Sequence, residues 1–330
     1  MNFITKNIRA ISIALFVTVV TVMLILTQSV KPTEKTFFAF DTLIDISLSG
    51  KNADKALEEI EFTLLSLEKE YSKYTTSPIK KFNSLPQGAS LEISPEMAKM
   101  ISDCNTVSKF TDGAFDITTS ALSDLWDIKN ATAPPSGADI SAALEKTGWN
   151  KISLSGTNLT KTTAELDFGG ILKGVAADKA REIANKYEIK KGIINLGGNV
   201  CLIGSKGKSP WTVGIVNPFS SGEVYLTVNA ENTNVITSGA YQRYFEHDGK
   251  TYHHILSPQT GYPVENDIAS VTVVSDNGTR ADALSTAIFV SGTEKGMEIA
   301  KNYGVEVIII KKDGSIFATE EIEYTAQKTS

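Results

Sequence analysis

Helical periodicity is clearest between residues 53 and 71, where Leu57, Ile60, Leu64, Leu65 and Leu67 place apolar groups on one side of a predicted helix. Before it, residues 37–48 alternate and read as one strand, entered through a polar linker at 31–36. Ser94-Pro95-Glu96 opens a second helix, with proline at its first position, running to about Thr111. Asp112-Gly113 marks a turn, 118–127 a short helix or loop, 133–137 a Pro/Ser/Gly loop and 141–147 a further helix. Strands are predicted at 151–155 and 163–168, the second closing at Asp167-Phe168-Gly169-Gly170 into a helix that ends at Tyr187.

The rest of the chain is richer in strands. Residues 192–196 and 200–203 form a predicted hairpin joined at Gly197-Gly198. Further strands fall at 213–216, 223–228, 234–238, 252–256 and 268–274. Residues 279–303 contain a helix, and strands at 305–310 and 316–318 complete a sheet. With no internal repeat and no strict strand–helix alternation, the fold class is α+β: mixed or antiparallel sheets with packed helices. No linker after residue 36 divides the chain, so residues 31–330 form one domain.

Residues 1–30 change that picture. Lys6 and Arg9 precede an apolar run from Ala10 to Leu26 without a polar face. At about 17 residues it is near the short end of a membrane-spanning helix. A basic segment followed by an apolar one reads as a membrane anchor or an export signal. There is no clear small-x-small cleavage site and no cysteine for lipid attachment, which favours an uncleaved hydrophobic helix over a cleaved signal. Lys6 and Arg9 put the N-terminus in the cytoplasm, although Lys31 and Lys35 on the far side count against that orientation. The expected location is the cell membrane, with an extracytoplasmic domain.

Composition narrows the function. The 330 residues carry a net charge of −6 and no basic stripe, which argues against nucleic acid as a partner. Cys104 and Cys201 are far apart and form no C-x-x-C pair, which argues against a structural zinc site or redox pair. Both read as buried free thiols, with a single disulfide as the alternative in an exported protein.

Candidate chemistry concentrates in the last third. Asp282 and Thr286 stand four apart on one helix face and offer the hard oxygen ligands that Mg²⁺ prefers. That pair points to phosphoryl chemistry on a nucleotide. The structural alternative is a capping box at Thr279-x-x-Asp282, with Thr286 returning a hydrogen bond one turn back. Asp167-Phe168-Gly169-Gly170-Ile171-Leu172-Lys173-Gly174 is either a structural turn or a phosphate site at a helix N-terminus. Gly197-Gly198 needs no ligand to serve as a turn. His253 and His254 are adjacent on a strand, so only one can face a site.

Read in order, these stretches resemble a known family, the ApbE flavin transferases. The resemblance runs over residues 37–310. It is carried by Ser72-Lys73-Tyr74 with Ser77, Phe82-Asn83, Gly113-Ala114-Phe115-Asp116, Leu166-Asp167-Phe168-Gly169-Gly170 with Lys173-Gly174, and Ile194-Asn195-Leu196-Gly197-Gly198-Asn199. It continues through Pro210-Trp211, Val213-Gly214-Ile215, Thr237-Ser238-Gly239, His253-His254-Ile255, Gly261-Tyr262-Pro263 and Ala281-Asp282-Ala283-Leu284. The chain departs from the pattern at Phe40-Asp41-Thr42, where the family has Met-Gly-Thr, at Leu172, and in a residue missing between Tyr74 and Ser77.

The resemblance implies Mg²⁺-dependent transfer of FMN from FAD to a Ser or Thr hydroxyl of a target protein, with release of AMP. It implies Mg²⁺ ligation by Asp282, Thr286 and the Gly170 carbonyl, assisted by Ser285. It implies an FAD site lined by Phe40, Tyr74, Ala114, Phe115, Asp116, Asp167, Lys173 and His254, with Ser238 and Gly239 near the phosphates. His254 is expected as the base or as a phosphate contact. The implied acceptors carry a Ser/Thr-Gly-Ala-Thr-like motif, as in Rnf- or Nqr-type electron-transfer subunits. Two rival readings use the same residues: an FAD pyrophosphatase giving FMN and AMP, and a flavin-binding surface protein without catalysis.

Overall fold

The stretch expected to form one strand over 37–48 is a hairpin. Phe40 and Asp41 take φ values of 53° and 58° and reverse the chain between β1 (Thr33–Ala39) and β2 (Thr42–Ser49). Two positive-φ residues make the turn that tight hairpins require, but asparagine and glycine are its usual signals, and here a phenylalanine fills the first position. The polar linker expected at 31–36 mostly belongs to β1. The computed structural model describes residues 31–327 except Ser221, so the expected N-terminal hydrophobic helix lies outside the described residues. Among the described residues no helix is long and apolar enough to cross a membrane.

The hairpin forms one edge of an eight-stranded sheet in the order β1-β2-β6-β7-β10-β13-β14-β15. The additional strands are β6 (Lys191–Leu196), β7 (Asn199–Gly204), β10 (Asn234–Gly239), β13 (Ile268–Ser275), β14 (Glu306–Lys311) and β15 (Ile316–Ala318), and every neighbouring pair is antiparallel. One face carries helices. Ile44, Ile46 and Leu48 of β2 enter the same core as Leu57, Ile60 and Leu64 of α1 (Ala53–Tyr71), as the period-2 and period-3.6 patterns require. The other face packs Leu202, Val235, Ile308 and Ile310 against Val213, Ile215, Leu226 and Val228. Those last four belong to a three-stranded sheet of β8 (Trp211–Val216), β9 (Val224–Ala230) and β16 (Tyr324–Ala326). Covered on both sides, the first four residues of β10 are all buried.

Smaller elements surround this frame. Helix α2 (Pro78–Asn83) and strand β3 (Ser90–Glu92) had no periodicity long enough to reveal them. The helices α3 (Pro95–Phe110), α4 (Ser120–Trp126) and α5 (Gly137–Leu144) follow, two of them capped by serines: Ser94 accepts from Met97 N, and Ser136 from Asp139 N. Strands β4 (Ile152–Ser155) and β5 (Asn158–Lys161) form a hairpin with β3 beside it. The strand expected at 163–168 does not form. Asn83 takes the place of a neighbouring strand there, accepting from Leu166 N at 2.8 Å and donating to Leu166 O at 2.9 Å.

Two central helices carry most of the polar cluster described next. Helix α6 (Leu172–Lys186) packs on α7 (Gly278–Ser291), whose residues from Ala281 to Ser285 are all buried. The helix expected over 279–303 is two helices, because Gly292 at φ 82° ends α7 and starts α8 (Thr293–Tyr303). The strand expected at 252–256 is shifted: β12 (Lys250–His253) pairs with β11 (Tyr244–His247) across Asp248-Gly249. Cys104 and Cys201 are both free and buried, and burial pushes the Cys201 thiol up to about 12.

Candidate active site

The site is built where α6 crosses α7. Gly174 sits in the first turn of α6, and a Cβ there would stand 2.7 Å from Asp282 Cβ and run into the Gly278 carbonyl. Only glycine lets the two backbones approach this closely. The Gly174 amide then donates to Asp282 Oδ2 at 2.8 Å, and Asn199 Nδ2 donates to Asp282 Oδ1 at 3.0 Å. Burial raises the Asp282 pKa, opposed by the charge of Lys173 and by these two hydrogen bonds. Asn199 is itself 1% exposed, and its Oδ1 has no hydrogen-bond partner among the described residues. Leaving such a buried acceptor unpaired costs about 1–3 kcal/mol.

The capping box does not exist in this form. The N-cap of α7 is Asn277, which accepts from Arg280 N at 2.7 Å. Thr279 is held from another helix: Asp178 of α6 accepts from Thr279 N at 2.8 Å, Thr279 Oγ1 at 2.7 Å and Gly278 N at 2.6 Å. Asp282 is thereby released from a local role and held by α6 and β7.

One turn along α7, hydroxyls gather. Ser285 is fully buried and donates to the Asp282 carbonyl at 2.9 Å. Ser238 Oγ on β10 lies 2.8 Å from Ser285 Oγ and 3.4 Å from Thr286 Oγ1. Gly170 stands across from them, since a Cβ there would be 4.0 Å from Thr286 Oγ1 and 3.7 Å from the Phe115 ring. Asp282, Ser285, Thr286, Ser238 and Gly170 are thus brought together from α7, β10 and the turn before α6. Gly239, next to Ser238, packs on Tyr241 instead, where a Cβ would meet the ring.

A second cluster continues from Gly170 toward Asp167. Asp167 Oδ2 pairs with Lys73 Nζ at 2.9 Å and accepts from Ser123 Oγ at 2.7 Å; Oδ1 accepts from Gly169 N at 2.8 Å. Burial pushes the Asp167 carboxyl up, but Lys73 and these hydrogen bonds hold it below its ordinary value. Lys73 also bridges Asp124 at 2.7 Å and sits 5.1 Å from the Tyr74 ring centroid. Tyr74 itself is 69% exposed. Ala114 and Phe115 are buried beside Asp116, which folds a local turn by accepting from Thr118 N and Oγ1 at 2.7 Å each. Burial raises the Asp116 pKa against those two bonds.

Phe40 and Lys173 line a cleft of about 570 Å³ between the β1–β2 turn and β8. Its wall includes residues that the sequence reading did not place in a site, notably Asn195, Thr237 and Arg243. Gly197-Gly198 also faces this space, although its spacing reads as a plain hairpin turn. Burial lowers the Lys173 pKa, which Asp282 counters and Arg243 reinforces. His254 follows β12. Its Nδ1 is 3.3 Å from the Arg243 carbonyl, and burial together with the Arg243 charge depresses its pKa to about 4. Its neighbour is structural: His253 is buried, with Nε2 donating to the Val264 carbonyl at 3.0 Å and its ring edge-on to Phe289.

The donor set has a definite chemistry. Among the described residues no group of three or more His, Cys, Asp or Glu converges on a metal-sized space. The oxygens on this stretch of α7 and its neighbours are the Asp282 carboxylate and, one turn on, the hydroxyls of Ser238, Ser285 and Thr286, with Gly170 beside them. Such a set fits a hard divalent cation that keeps part of its water shell.

Known proteins place this geometry in context. A family model described as "ApbE family" matches residues 40–309. A Klebsiella pneumoniae protein named FAD:protein FMN transferase is 34% identical over 277 residues, covering 80% of this chain and 84% of its own length. An Escherichia coli K12 protein of the same name is 30% identical over 284 residues, covering 82% and 81%. Among solved structures, an ApbE protein of Thermotoga maritima superposes with a TM-score of 0.82 at 33% identity, over 88% of this chain and 97% of that one. The apo flavinyl transferase ApbE of Pseudomonas stutzeri gives 0.77 at 30% identity, over 88% and 95%.

Proposed function

This chain belongs to the ApbE family, and we propose that it transfers FMN from FAD to a Ser or Thr hydroxyl of a target protein, releasing AMP. The observation that carries the reading is the convergence of Asp282, Ser285, Thr286 and Ser238 on the α6–α7 crossing, one residue from cleft-lining Lys173. Nucleotide pyrophosphates need charge neutralisation and in-line positioning more than covalent help from the protein.

Each residue then has a task. Phe40 offers a ring face to the flavin or adenine, while Ala114, Phe115, Asp116 and Asp167 shape the FAD site, with Tyr74 closing over it from the surface. Lys173 meets the phosphates, and burial keeps its charge weakly solvated and therefore effective. Asp282 and Thr286, with the Gly170 carbonyl and Ser285, would hold Mg²⁺. That ion, when bound, neutralises the pyrophosphate and the departing AMP.

His254 is the base. An Nδ1–H bonded to the Arg243 carbonyl leaves the Nε2 lone pair free, and the depressed pKa keeps the ring neutral at physiological pH. The acceptor oxygen attacks the phosphorus of the FMN half and the pyrophosphate bond to AMP breaks. The hydroxyl proton passes to Nε2. The proposed acceptors are exported or membrane electron-transfer subunits of the Rnf or Nqr type with a Ser/Thr-Gly-Ala-Thr-like motif. Residues 1–30 would keep the enzyme at the membrane where such targets lie, with residues 31–330 as the catalytic domain.

Asp282→Ala tests the assignment. The expected result is a folded protein that no longer produces a fluorescent flavin band on the acceptor in a denaturing gel. Labelling at the wild-type rate would remove Asp282 from the mechanism.

A further inference from the structure

Asn199, the first residue of β7, faces two ways. Its Nδ2 donates to Asp282 Oδ1 at 3.0 Å, while its own Oδ1 is buried and has no partner among the described residues. The carboxylate fixes which way the amide points. Turned over, the amide would set its oxygen against Asp282 and leave two N–H groups in the unpartnered place. Among the described residues two groups donate to the Asp282 carboxylate, Gly174 N from the backbone and Asn199 Nδ2 from a side chain. Asn199 also follows directly on the cleft-lining Gly197-Gly198 turn. An unpaired, buried acceptor beside a carboxylate, next in sequence to a cleft-lining turn, marks a place for a donor that the described residues do not supply.

We propose that Asn199 is a positioning residue for the cation of the transfer reaction: Nδ2 holds the Asp282 carboxylate in its ligating orientation, and Oδ1 accepts a hydrogen bond from a water of the cation's shell. The inference rests on the magnesium reading above. Mg²⁺ held by few protein ligands retains several waters, each a donor in search of an acceptor. Groups that orient ligating carboxylates typically account for 10–100-fold in metal affinity. The same pair of contacts explains why a side chain 1% exposed is an asparagine and not an apolar residue of similar size.

The test measures Mn²⁺ affinity by electron paramagnetic resonance on the full-length chain with FAD present, for wild type, Asn199→Ala, Asn199→Ser and Asp282→Ala. Melting temperatures in EDTA report folding separately. The expected result is Mn²⁺ binding weakened by about 10–100-fold in Asn199→Ala at an unchanged melting temperature. Asn199→Ser, which keeps a small donor and acceptor, is expected to lose less, and it decides the matter if the alanine variant does not fold. Wild-type Mn²⁺ affinity in either folded variant overturns the inference and leaves the magnesium reading standing. If wild type binds Mn²⁺ no better than Asp282→Ala, the magnesium reading itself falls, and the role of Asn199 with it.

Discussion

The amide nitrogen of Gly174 lies 2.8 Å from Oδ2 of Asp282, so the first turn of one helix holds the carboxylate of the next. The contact exists because position 174 has no side chain. Gly174→Ala would drive a Cβ toward the Gly278 carbonyl and to 2.7 Å from Asp282 Cβ. We expect a loss of about 3 kcal/mol, at the upper end of overpacking costs, because both obstacles are fixed by backbone. Urea titration of wild type and variant measures it, and coincident midpoints would contradict the close crossing.

Asp178 caps a helix to which it does not belong. Its two oxygens take Gly278 N, Thr279 N and Thr279 Oγ1, while Asn277 provides the local cap. Asp178→Ala is expected to cost about 1–2 kcal/mol, the range for a lost N-cap. Thermal melts check this. A melting temperature within error of wild type would show that Asn277 suffices alone.

Lys73 and Asp167 form a largely enclosed pair, with Lys73 6% and Asp167 20% exposed in their side chains. Removing one partner strands the other, which typically costs about 3–5 kcal/mol, so Lys73→Met is expected near 3 kcal/mol given the remaining Ser123 and Gly169 bonds. The sign with pH follows from the lowered Asp167 pKa. The unfolded carboxyl titrates near ~3.9, so the pair's stabilisation is present above that pH and is lost as pH falls through the lower native value. Stability curves for both proteins should converge toward acid. A constant gap between them would refute the coupling.

His254 titrates in the opposite chemical sense but within the same logic. Its native pKa is about 4, against ~6.5 in the unfolded chain. Between those values the unfolded state binds more protons, so the stabilisation is full above ~6.5 and declines as pH falls toward the native value. Proton NMR should show the His254 ring resonance unmoved between pH 8 and 5. Arg243→Ala, which removes the repelling guanidinium but keeps the carbonyl, should raise that pKa. A titration midpoint near 6.5 in the wild type would contradict the half-buried, cation-flanked environment.

Much of this molecule is legible in its residues. Leu57, Ile60 and Leu64 announce α1, Ser94-Pro95 announces α3, and the alternation around Gly197-Gly198 gives the β6–β7 hairpin. Other features are hidden for physical reasons. Phe40-Asp41 turns the chain without glycine, whereas Asp248-Gly249 carried a readable hairpin signal that the strand at 252–256 obscured. Thr279 and Asp282 have capping-box spacing, yet their partners, Asp178, Gly174 and Asn199, come from distant parts of the chain. Local spacing cannot reveal those contacts. The same limit hid Arg243, which carries no motif and reaches the cleft only through the fold.

The account's central claim is FMN transfer to a protein hydroxyl, and intact mass spectrometry of the acceptor tests it most directly. The purified chain would be incubated with FAD, Mg²⁺ and an acceptor bearing the Ser/Thr-Gly-Ala-Thr-like motif. The account predicts that the acceptor gains the mass of one FMN less one water and that AMP appears in equal amount. Both should vanish with EDTA or with Asp282→Ala. Free FMN and AMP beside an unmodified acceptor, with every Ser/Thr-bearing acceptor tried, would contradict it and make the protein a pyrophosphatase.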